Sequence, residues 1–230
     1  MKKLIKKMIP FFVIKWYKNK KSAKFLDKDT KEVFTEIYNT NHWKSSESIS
    51  GTGSEISQTK SLIKSLNELI QDKNISSILD IPCGDFGWMK EVDLSNIKYT
   101  GADIVEKIID INKKKYLINN LEFKVIDLIN DQLPKNDLMI IRDCFVHLSY
   151  SDIDKAIKNI KLSGCKYLLL TTFVNNNSNY DIITGDWRKL NFQKKPFNFP
   201  DPILIIEENC TEGDGIFKDK SMALWEIDKI

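Results

Sequence analysis

The stretch Asp80-Ile81-Pro82-Cys83-Gly84-Asp85-Phe86-Gly87, which directly follows the apolar pair Ile78-Leu79, is the part of the sequence that decides the fold. It places an acidic residue at the end of a short apolar strand and a glycine turn immediately after it. This arrangement is typical of the carboxyl edge of a parallel sheet, where exposed backbone meets a nucleotide-like ligand. A second strand with an acidic end, Tyr99-Thr100-Gly101-Ala102-Asp103, follows it. The two endings together predict a cofactor that carries a nucleoside.

From this stretch onward, apolar runs of strand length alternate with runs of helical length. The clearest helices are predicted at Val105–Asn119 and Ser151–Leu162. The strand-like runs are Ser77–Ile81, Tyr99–Ile104, Glu122–Ile126, Leu138–Arg142, Tyr167–Thr172, Ile203–Glu207 and Met222–Ile227. This alternation predicts an α/β fold with a doubly wound, mostly parallel seven-stranded sheet of the Rossmann-like kind. Gly213-Asp214-Gly215 is typical of a turn, so the last two strands are predicted to form an antiparallel hairpin at one edge.

The chain ahead of the sheet divides into two segments. Residues 1–26 form a basic, aromatic arm, in which residues 1–24 hold nine lysines and no acid. Residues 27–74 are predicted to hold a helix at 27–39 and a second helix that Ser54 caps, with a polar lid between the two. Residues 75–230 are predicted to form the Rossmann-like domain, with a substrate insertion at about 174–202.

The basic arm admits two interpretations. Its lysines and aromatic residues could lie on an anionic membrane surface, or the arm could be an ordinary helix with solvated lysines. The apolar run Met8 to Ile14 is too short to cross a bilayer, which takes about 20 residues. The arm also lacks the cleavage site of a signal peptide. We therefore expect a cytoplasmic protein, with peripheral contact to the inner face of the membrane as an open alternative.

Composition narrows the class of partner. The net charge is +3, but the chain beyond residue 24 holds 26 basic and 32 acidic residues, so no nucleic-acid surface is expected. The four cysteines are scattered without a C-x-x-C pair, which indicates reduced thiols and neither a disulfide framework nor a metal site. Nor do two adjacent acids stand beside an asparagine in a recognisable metal cluster, and we predict no metal. The oligomeric state cannot be predicted.

Four of the first five predicted strands end at or beside an acid. These acids are Asp80, Asp103, Asp127 and Asp143. Asp103 is placed to bind the two hydroxyls of a ribose, and Asp127 to accept a hydrogen bond from an amine such as that of adenine. For each of these two, an ordinary loop-capping role is the alternative.

The motifs taken together resemble the class I S-adenosylmethionine-dependent methyltransferases from about Lys73 to the C-terminus. The nearer resemblance is to small bacterial and viral methyltransferases of poorly defined substrate, some associated with surface glycans. The stretches that carry it are Asn41-His42-Trp43, Ser48-Ile49-Ser50-Gly51-Thr52-Gly53-Ser54, Asp80-Ile81-Pro82-Cys83-Gly84-Asp85, Tyr99-Thr100-Gly101-Ala102-Asp103-Ile104-Val105, Leu133-Pro134, Arg142-Asp143-Cys144-Phe145-Val146-His147-Leu148 and Gly185-Asp186-Trp187-Arg188. The resemblance implies that S-adenosylmethionine is the cofactor and that the polar lid covers it.

The glycine turn departs from the usual form of its motif, D-x-G-x-G-x-G. Pro82 and Phe86 stand where the first and third glycines would be, and only Gly84 is retained. The same departure argues against a dinucleotide, which needs G-x-G-x-x-G for close approach of its pyrophosphate. From the strand ends and the resemblance we predict a set of cofactor-binding residues. They are Asp80, Pro82, Cys83, Gly84, Asp85, Phe86, Trp88, Asp103, Ile104, Asp127, Leu128, Arg142, Trp43, Gly51 and Gly53.

Catalytic candidates are few, because the chain has only two histidines and two arginines among its basic residues. His147 is predicted to be the general base for a hydroxyl acceptor, since its side chain titrates near neutrality. Asp143 is predicted to orient His147 or to line the methyl-donor pocket. The alternative for His147 is a capping or core role, and Arg142 could equally be a structural partner of Asp80 or Asp143.

The acceptor is predicted to be bound by His42, Asp186, Trp187 and Arg188. The planar guanidinium of Arg188 makes it a candidate for binding an anionic group. We therefore expect O-methylation of a small molecule or a sugar or glycan component. The alternatives are N-methylation of a protein or nucleic acid, and a non-catalytic protein that binds the cofactor as a scaffold.

Overall fold

The computed structural model describes residues 22–230 of the protein. The predicted basic arm, including its proposed membrane contact at residues 1–24, lies almost entirely outside these residues. Four α-helices are described, α1 (Thr30–Asn39), α2 (Ile56–Asp72), α3 (Glu106–Lys115) and α4 (Tyr150–Leu162). The seven strands are β1 (Ser77–Asp80), β2 (Lys98–Asp103), β3 (Leu121–Val125), β4 (Leu138–Ile141), β5 (Tyr167–Phe173), β6 (Leu204–Glu207) and β7 (Lys220–Glu226).

The strands form a single sheet in the order β3-β2-β1-β4-β5-β7-β6. The five strands from β3 to β5 are parallel, whereas β7 runs antiparallel to both β5 and β6. The predicted seven-stranded, mostly parallel sheet with a terminal antiparallel hairpin is thus confirmed. The strand order reverses between β1 and β4, and a crevice for ligands opens beyond the carboxyl ends of strands at such a point.

Both faces of the sheet are covered, so the central strands β4 and β5 are buried along their whole length. All four residues of β4 are buried, as are all seven of β5. Along β1, Ile78 packs into a core with α2 and α3, while Leu79 points to the opposite face and packs with α4. This division follows from the two-residue period of a strand. Because α2 contributes to this core, the predicted helical segment 27–74 is partly a layer of the sheet domain.

The N-termini of α1 and α2 differ in how well capping could be predicted from the sequence. Asp29 caps α1 in a capping box with Glu32, in which each side chain accepts a hydrogen bond from the other residue's backbone N–H. The prediction that Ser54 caps the next helix is wrong. Ser54 belongs to a 3-10 turn at Thr52–Ser54, and Glu55 is the N-cap of α2 without a side-chain capping bond. The lid, defined as residues 41–54, therefore continues in turns up to the start of α2.

Candidate functional site

A cavity of about 380 Å³ opens beyond the carboxyl ends of β1, β2 and β4, at the reversal point of the strand order. Its volume is within the range of small-molecule sites, roughly 300–1,000 Å³. Helix α1, the lid and the loops after β1, β2, β3 and β4 all line it. The residues predicted to bind the cofactor that line it are Trp43, Gly51, Gly53, Asp80, Pro82, Cys83, Gly84, Asp85, Trp88, Asp103, Ile104, Asp127, Leu128 and Arg142.

The glycine turn brings bare backbone to the wall of this cavity. Gly84 has a φ of +53°, a conformation that residues with a Cβ rarely adopt. A Cβ at Gly84 would overlap the hydroxyl of Ser50 in the lid. The Gly84 carbonyl accepts a hydrogen bond from the Asn112 side chain at 2.7 Å, and its N–H donates to Asp103 at 3.2 Å. The one glycine retained from the motif is thus the one that the close approach of lid and loop requires.

Asp103 is fixed by the two loops that flank it. One carboxylate oxygen accepts from the N–H of Val105 at 2.9 Å, and the other accepts from Gly84. The residue is only 5% exposed, and this burial raises the pKa of Asp103 to about 6. The carboxylate is therefore mostly ionised at neutral pH. Its remaining lone pairs can accept hydrogen bonds from a pair of hydroxyls.

Asp80 and Asp127 are held by local partners. Asp80 is buried and accepts a hydrogen bond from the Tyr99 hydroxyl at 2.7 Å, while burial raises the pKa of Asp80 to about 7. Asp127 accepts from the N–H of Ile129 at 2.8 Å and from the Asn130 side chain at 2.7 Å. Both acids line the cavity. The Asp127 bonds are those of a loop cap, the alternative role that the sequence left open.

A buried charged cluster, defined as Arg142, Asp143, Glu208 and Lys220, lies beside the lid. Arg142 donates to both carboxylate oxygens of Glu208, at 3.2 and 2.5 Å, and to the carbonyl of Gly53 at 2.7 Å. Lys220 pairs with Asp143 and lies 3.5 Å from Glu208. Arg142 therefore has the structural role that the sequence left open. Its main partner is Glu208, and it also pairs with the predicted acid Asp143, at 3.6 Å.

Asp143 meets one of its two predicted roles, since it lines the cavity. It has a φ of +52°, an uncommon conformation for a residue with a Cβ. Burial alone would raise the pKa of Asp143, but the charges of Lys220 and Arg142 outweigh burial and lower it. Its carboxylate is thus ionised and engaged by the charged cluster. Asp143 lines the cavity, as one of its two predicted roles requires, but the structure does not show it orienting His147.

His147 lines the cavity from the 3-10 turn at Phe145–His147, which follows β4, and β1 lies between β4 and the strand β2 that ends in Asp103. Its Nδ1 is 2.9 Å from the backbone carbonyl of Asp186. Because a carbonyl only accepts, Nδ1 carries the hydrogen and Nε2 keeps a lone pair. Burial lowers the pKa of His147 to about 4. The imidazole is therefore unprotonated at neutral pH, the form that can accept a proton.

The predicted acceptor-binding group is only partly brought together. Trp187 lines the cavity, but the side chains of His42 and Asp186 do not. Arg188 is fully buried and donates to the carbonyls of Tyr180, Phe145 and Leu148 at 3.1, 2.9 and 2.6 Å. The prediction that Arg188 binds an anionic substrate is wrong, because its side chain is fully buried, does not line the cavity and donates to backbone carbonyls instead.

The prediction that the side chain of Phe86 binds the cofactor is also wrong. Its ring packs in the core against Tyr99, Tyr116 and Phe123 and does not line the cavity. It occupies the position of the third motif glycine with a φ of +58°. The loop thus keeps a left-handed residue at that position, while the aromatic side chain turns away from the cavity.

Several lining residues were not predicted. Phe173, at the end of β5, and Phe217 pack edge-on with Trp187, at ring-centroid distances of 6.0 and 5.0 Å. Glu212 comes from the connection between β6 and β7, and Lys220 is the first residue of β7. These residues follow no local motif, and only the position of β7 next to β5 brings them to the cavity.

In the part of the chain from residue 22 on, no group of three or more His, Cys, Asp or Glu side chains could hold a metal ion. The absence of a metal stays a prediction. None of the helices described is long and apolar enough to span a membrane.

Comparisons with known proteins support the fold. No protein-family model matches the chain, and no curated protein sequence matches it. Among solved structures, a SAM-dependent methyltransferase from Leishmania major superposes with a TM-score of 0.65 at 14% identity, covering 90% of this chain and 91% of that one. Magnesium protoporphyrin IX methyltransferase from Synechocystis PCC 6803 with bound SAM gives 0.51 at 19% identity, covering 68% and 82%. The N-methyltransferase NodS from Bradyrhizobium japonicum gives 0.52 at 12% identity, covering 74% and 96%. The fold is that of the class I SAM-dependent methyltransferases.

Proposed function

We propose that this protein is an S-adenosylmethionine-dependent methyltransferase that methylates an oxygen atom of a small molecule or of a sugar or glycan component. One observation carries the proposal. One cavity is lined by a buried carboxylate, a bare glycine turn and an unprotonated histidine, which come from the ends of three neighbouring strands. Structures of proteins with this fold are described with SAM bound, which supports the choice of ligand.

The residues at the Asp103 end fit S-adenosylmethionine. Asp103 would accept hydrogen bonds from the ribose hydroxyls, and the apolar side chains of Ile104 and Leu128 would lie against the adenine. The backbone of Gly84, where any Cβ would meet the lid, leaves room for the methionine part. S-adenosylmethionine supplies a methyl group on a positively charged sulfur, so the chain has only to align an acceptor and take its proton.

His147 supplies the proton acceptor in this proposal. As the acceptor oxygen bonds to the methyl carbon and the carbon–sulfur bond breaks, the hydroxyl proton passes to Nε2 of His147. The Asp186 carbonyl keeps Nδ1 protonated and so fixes the tautomer. General-base assistance of this kind contributes typically 10²–10⁴-fold to a rate.

The acceptor end favours an acceptor without a phosphate or carboxylate. Arg142 and Lys220 are the arginine and lysine that line the cavity within the described residues, and both are paired with Glu208 and Asp143. The aromatic side chains of Trp187, Phe173 and Phe217 offer faces and edges to a ring. This surface suits an uncharged, ring-bearing acceptor such as a sugar.

Calorimetry with the full chain tests the cofactor. We expect micromolar binding of S-adenosylmethionine and of its demethylated product, and no binding of NAD. Asp103→Ala should abolish binding, whereas Asp110→Ala, a matched change at an exposed acid on α3, should leave it unchanged. If neither ligand binds the wild-type protein, the methyltransferase proposal fails.

Turnover tests the base. Product formation would be followed with neutral glycosides and their carboxylated and phosphorylated counterparts as acceptors. His147→Ala should keep cofactor affinity and lose at least 100-fold in rate, in line with the usual contribution of a general base. Full activity in that variant would remove His147 from the mechanism. Preferential methylation of the charged sugars would contradict the assignment of the acceptor.

A further inference from the structure

The lid and the proposed base are in direct contact. The ring of Trp43 lies 4.5 Å from the ring of His147, with an angle of 41° between their planes. His42 packs edge-on against the other part of Trp43 at 5.0 Å. Trp43 is one of the residues predicted to bind the cofactor. In the structure it covers the imidazole that would take the proton.

The lid holds Trp43 in this place through a glycine. Gly51 has a φ of +100°, and a Cβ built there would lie 3.1 Å from the Cβ of Trp43. Its N–H donates to the Ser48 carbonyl at 3.1 Å, which closes the turn that faces the indole. Any side chain at Gly51 would therefore push against Trp43 or distort the turn.

The same few lid residues also touch the other walls of the cavity. The N–H of Ile49 donates to Asp85 in the glycine turn at 3.2 Å, and Thr52 hydrogen-bonds to Glu212. The carbonyl of Gly53 accepts from Arg142 at 2.7 Å. The lid thus contacts the glycine turn, the charged cluster and the connection between β6 and β7, while Trp43 covers His147. Displacing the lid would uncover the base in the same movement.

We infer that Trp43 is a positioning residue that shields His147 from water and fixes its ring. The same docking of the lid that closes the cavity therefore also makes His147 ready to act as the base. This inference rests on the methyltransferase function proposed above. It explains why a lid that contacts the cofactor loop also reaches the acceptor end. A base shielded in this way accepts a proton from the acceptor and is kept from exchanging it with bulk water.

The electrostatic surroundings of His147 make the shielding measurable. Asp143, Asp186 and Arg188 are the charged groups that act on it, and the two acids favour the protonated ring while the arginine opposes it. Burial outweighs them and lowers the pKa of His147 from 6.5 to about 4. At pH 6 about 1% of His147 is then protonated, against about three quarters at the ordinary pKa. Exposing the His147 ring to water should therefore raise its protonated fraction at pH 6 from about 1% toward about three quarters.

Histidine titration by NMR on the full chain, without ligand, tests the inference. The two histidines are assigned with His42→Gln and His147→Gln. We expect no titration of His147 above pH 5 in the wild type. In Trp43→Leu, and in Gly51→Ala, which displaces the indole without removing it, its pKa should rise by at least one unit. Trp43→Phe, which keeps a ring, should give a smaller rise.

Phe217→Ala is the control, because Phe217 lines the cavity but packs on Phe173 and Trp187. It should leave the titration of His147 unchanged. The inference is overturned if His147 titrates near 6.5 in the wild type, or if Trp43→Leu and Gly51→Ala leave its pKa within about 0.3 of the wild-type value. Calorimetry separates the two proposals, since a protein that binds no S-adenosylmethionine fails the proposed function whatever the titration shows.

Discussion

Replacing Arg188 with methionine should destabilise the protein strongly without acting through substrate binding. Arg188 is fully buried, and its guanidinium donates to three backbone carbonyls at 2.6–3.1 Å. Two of these carbonyls, from Phe145 and Leu148, flank the turn that carries His147. Methionine has a similar length but donates no hydrogen bond, so three backbone carbonyls, two of them in buried hydrogen bonds, would lose a partner.

The magnitude follows from these contacts. Hydrogen bonds to a charged group contribute about 1.5–3 kcal/mol each, so three bonds give an upper range of about 4.5–9 kcal/mol. Burial of the cation has a cost of its own, since it lowers the pKa of Arg188 to about 10. Removing the guanidinium relieves that cost, and we therefore expect a loss of about 3–5 kcal/mol in the free energy of unfolding.

Urea unfolding followed by circular dichroism measures this loss. The midpoint should fall with an unchanged slope, and the melting temperature should drop by roughly 10 °C. Arg188→Lys should also destabilise, because an ammonium cannot reach three carbonyls from one fork. Lys194→Met removes an exposed cation from the same insertion and should cost less than about 1 kcal/mol. Wild-type stability in Arg188→Met would refute the structural role and return Arg188 to the candidates for substrate binding.

Two further predictions concern the cofactor end. Burial raises the pKa of Asp103 to about 6. S-adenosylmethionine should therefore bind with constant affinity well above pH 6. Below pH 6 the affinity should fall about tenfold per pH unit, because protonation of Asp103 removes the acceptor for the ribose hydroxyls. Calorimetry between pH 8 and 5 measures this affinity. The Asp103→Asn variant should bind weakly, with an affinity that does not change with pH. An equally steep decline of affinity in that variant would mean that another group than Asp103 titrates. Gly84→Ala should reduce cofactor affinity at least tenfold, because its Cβ would overlap the Ser50 hydroxyl and strain the positive φ by about 1–2 kcal/mol. Adding Ser50→Gly should restore part of the affinity, and no rescue would mean that the clash with the lid is not the cause.

The cofactor half of the site could be predicted because its signals are local. A strand, an acid and a glycine turn lie within a few residues of one another, and Gly84 and Asp103 both line the cavity as expected. The parallel sheet then brings the ends of β1, β2 and β4 together without further information, since parallel strands present their carboxyl ends at one edge. Phe86 was misassigned because the motif gives a position along the chain and no side-chain direction.

The alternation of strands and helices, the terminal hairpin and the acids at the strand ends can be predicted without a structure, because hydrophobic period and turn chemistry are properties of neighbouring residues. Which charged side chains are free to bind a ligand depends on how the chain folds. Arg188 was expected to bind substrate and instead holds the turn of His147, while Arg142 is satisfied by Glu208, 66 residues away in the chain. Trp43, which was predicted to bind the cofactor, lines the cavity and also packs against His147. Pairings of this kind depend on contacts between segments that are distant in the chain. They also depend on which buried donors still need a hydrogen-bond acceptor, and the local pattern of residues predicts neither.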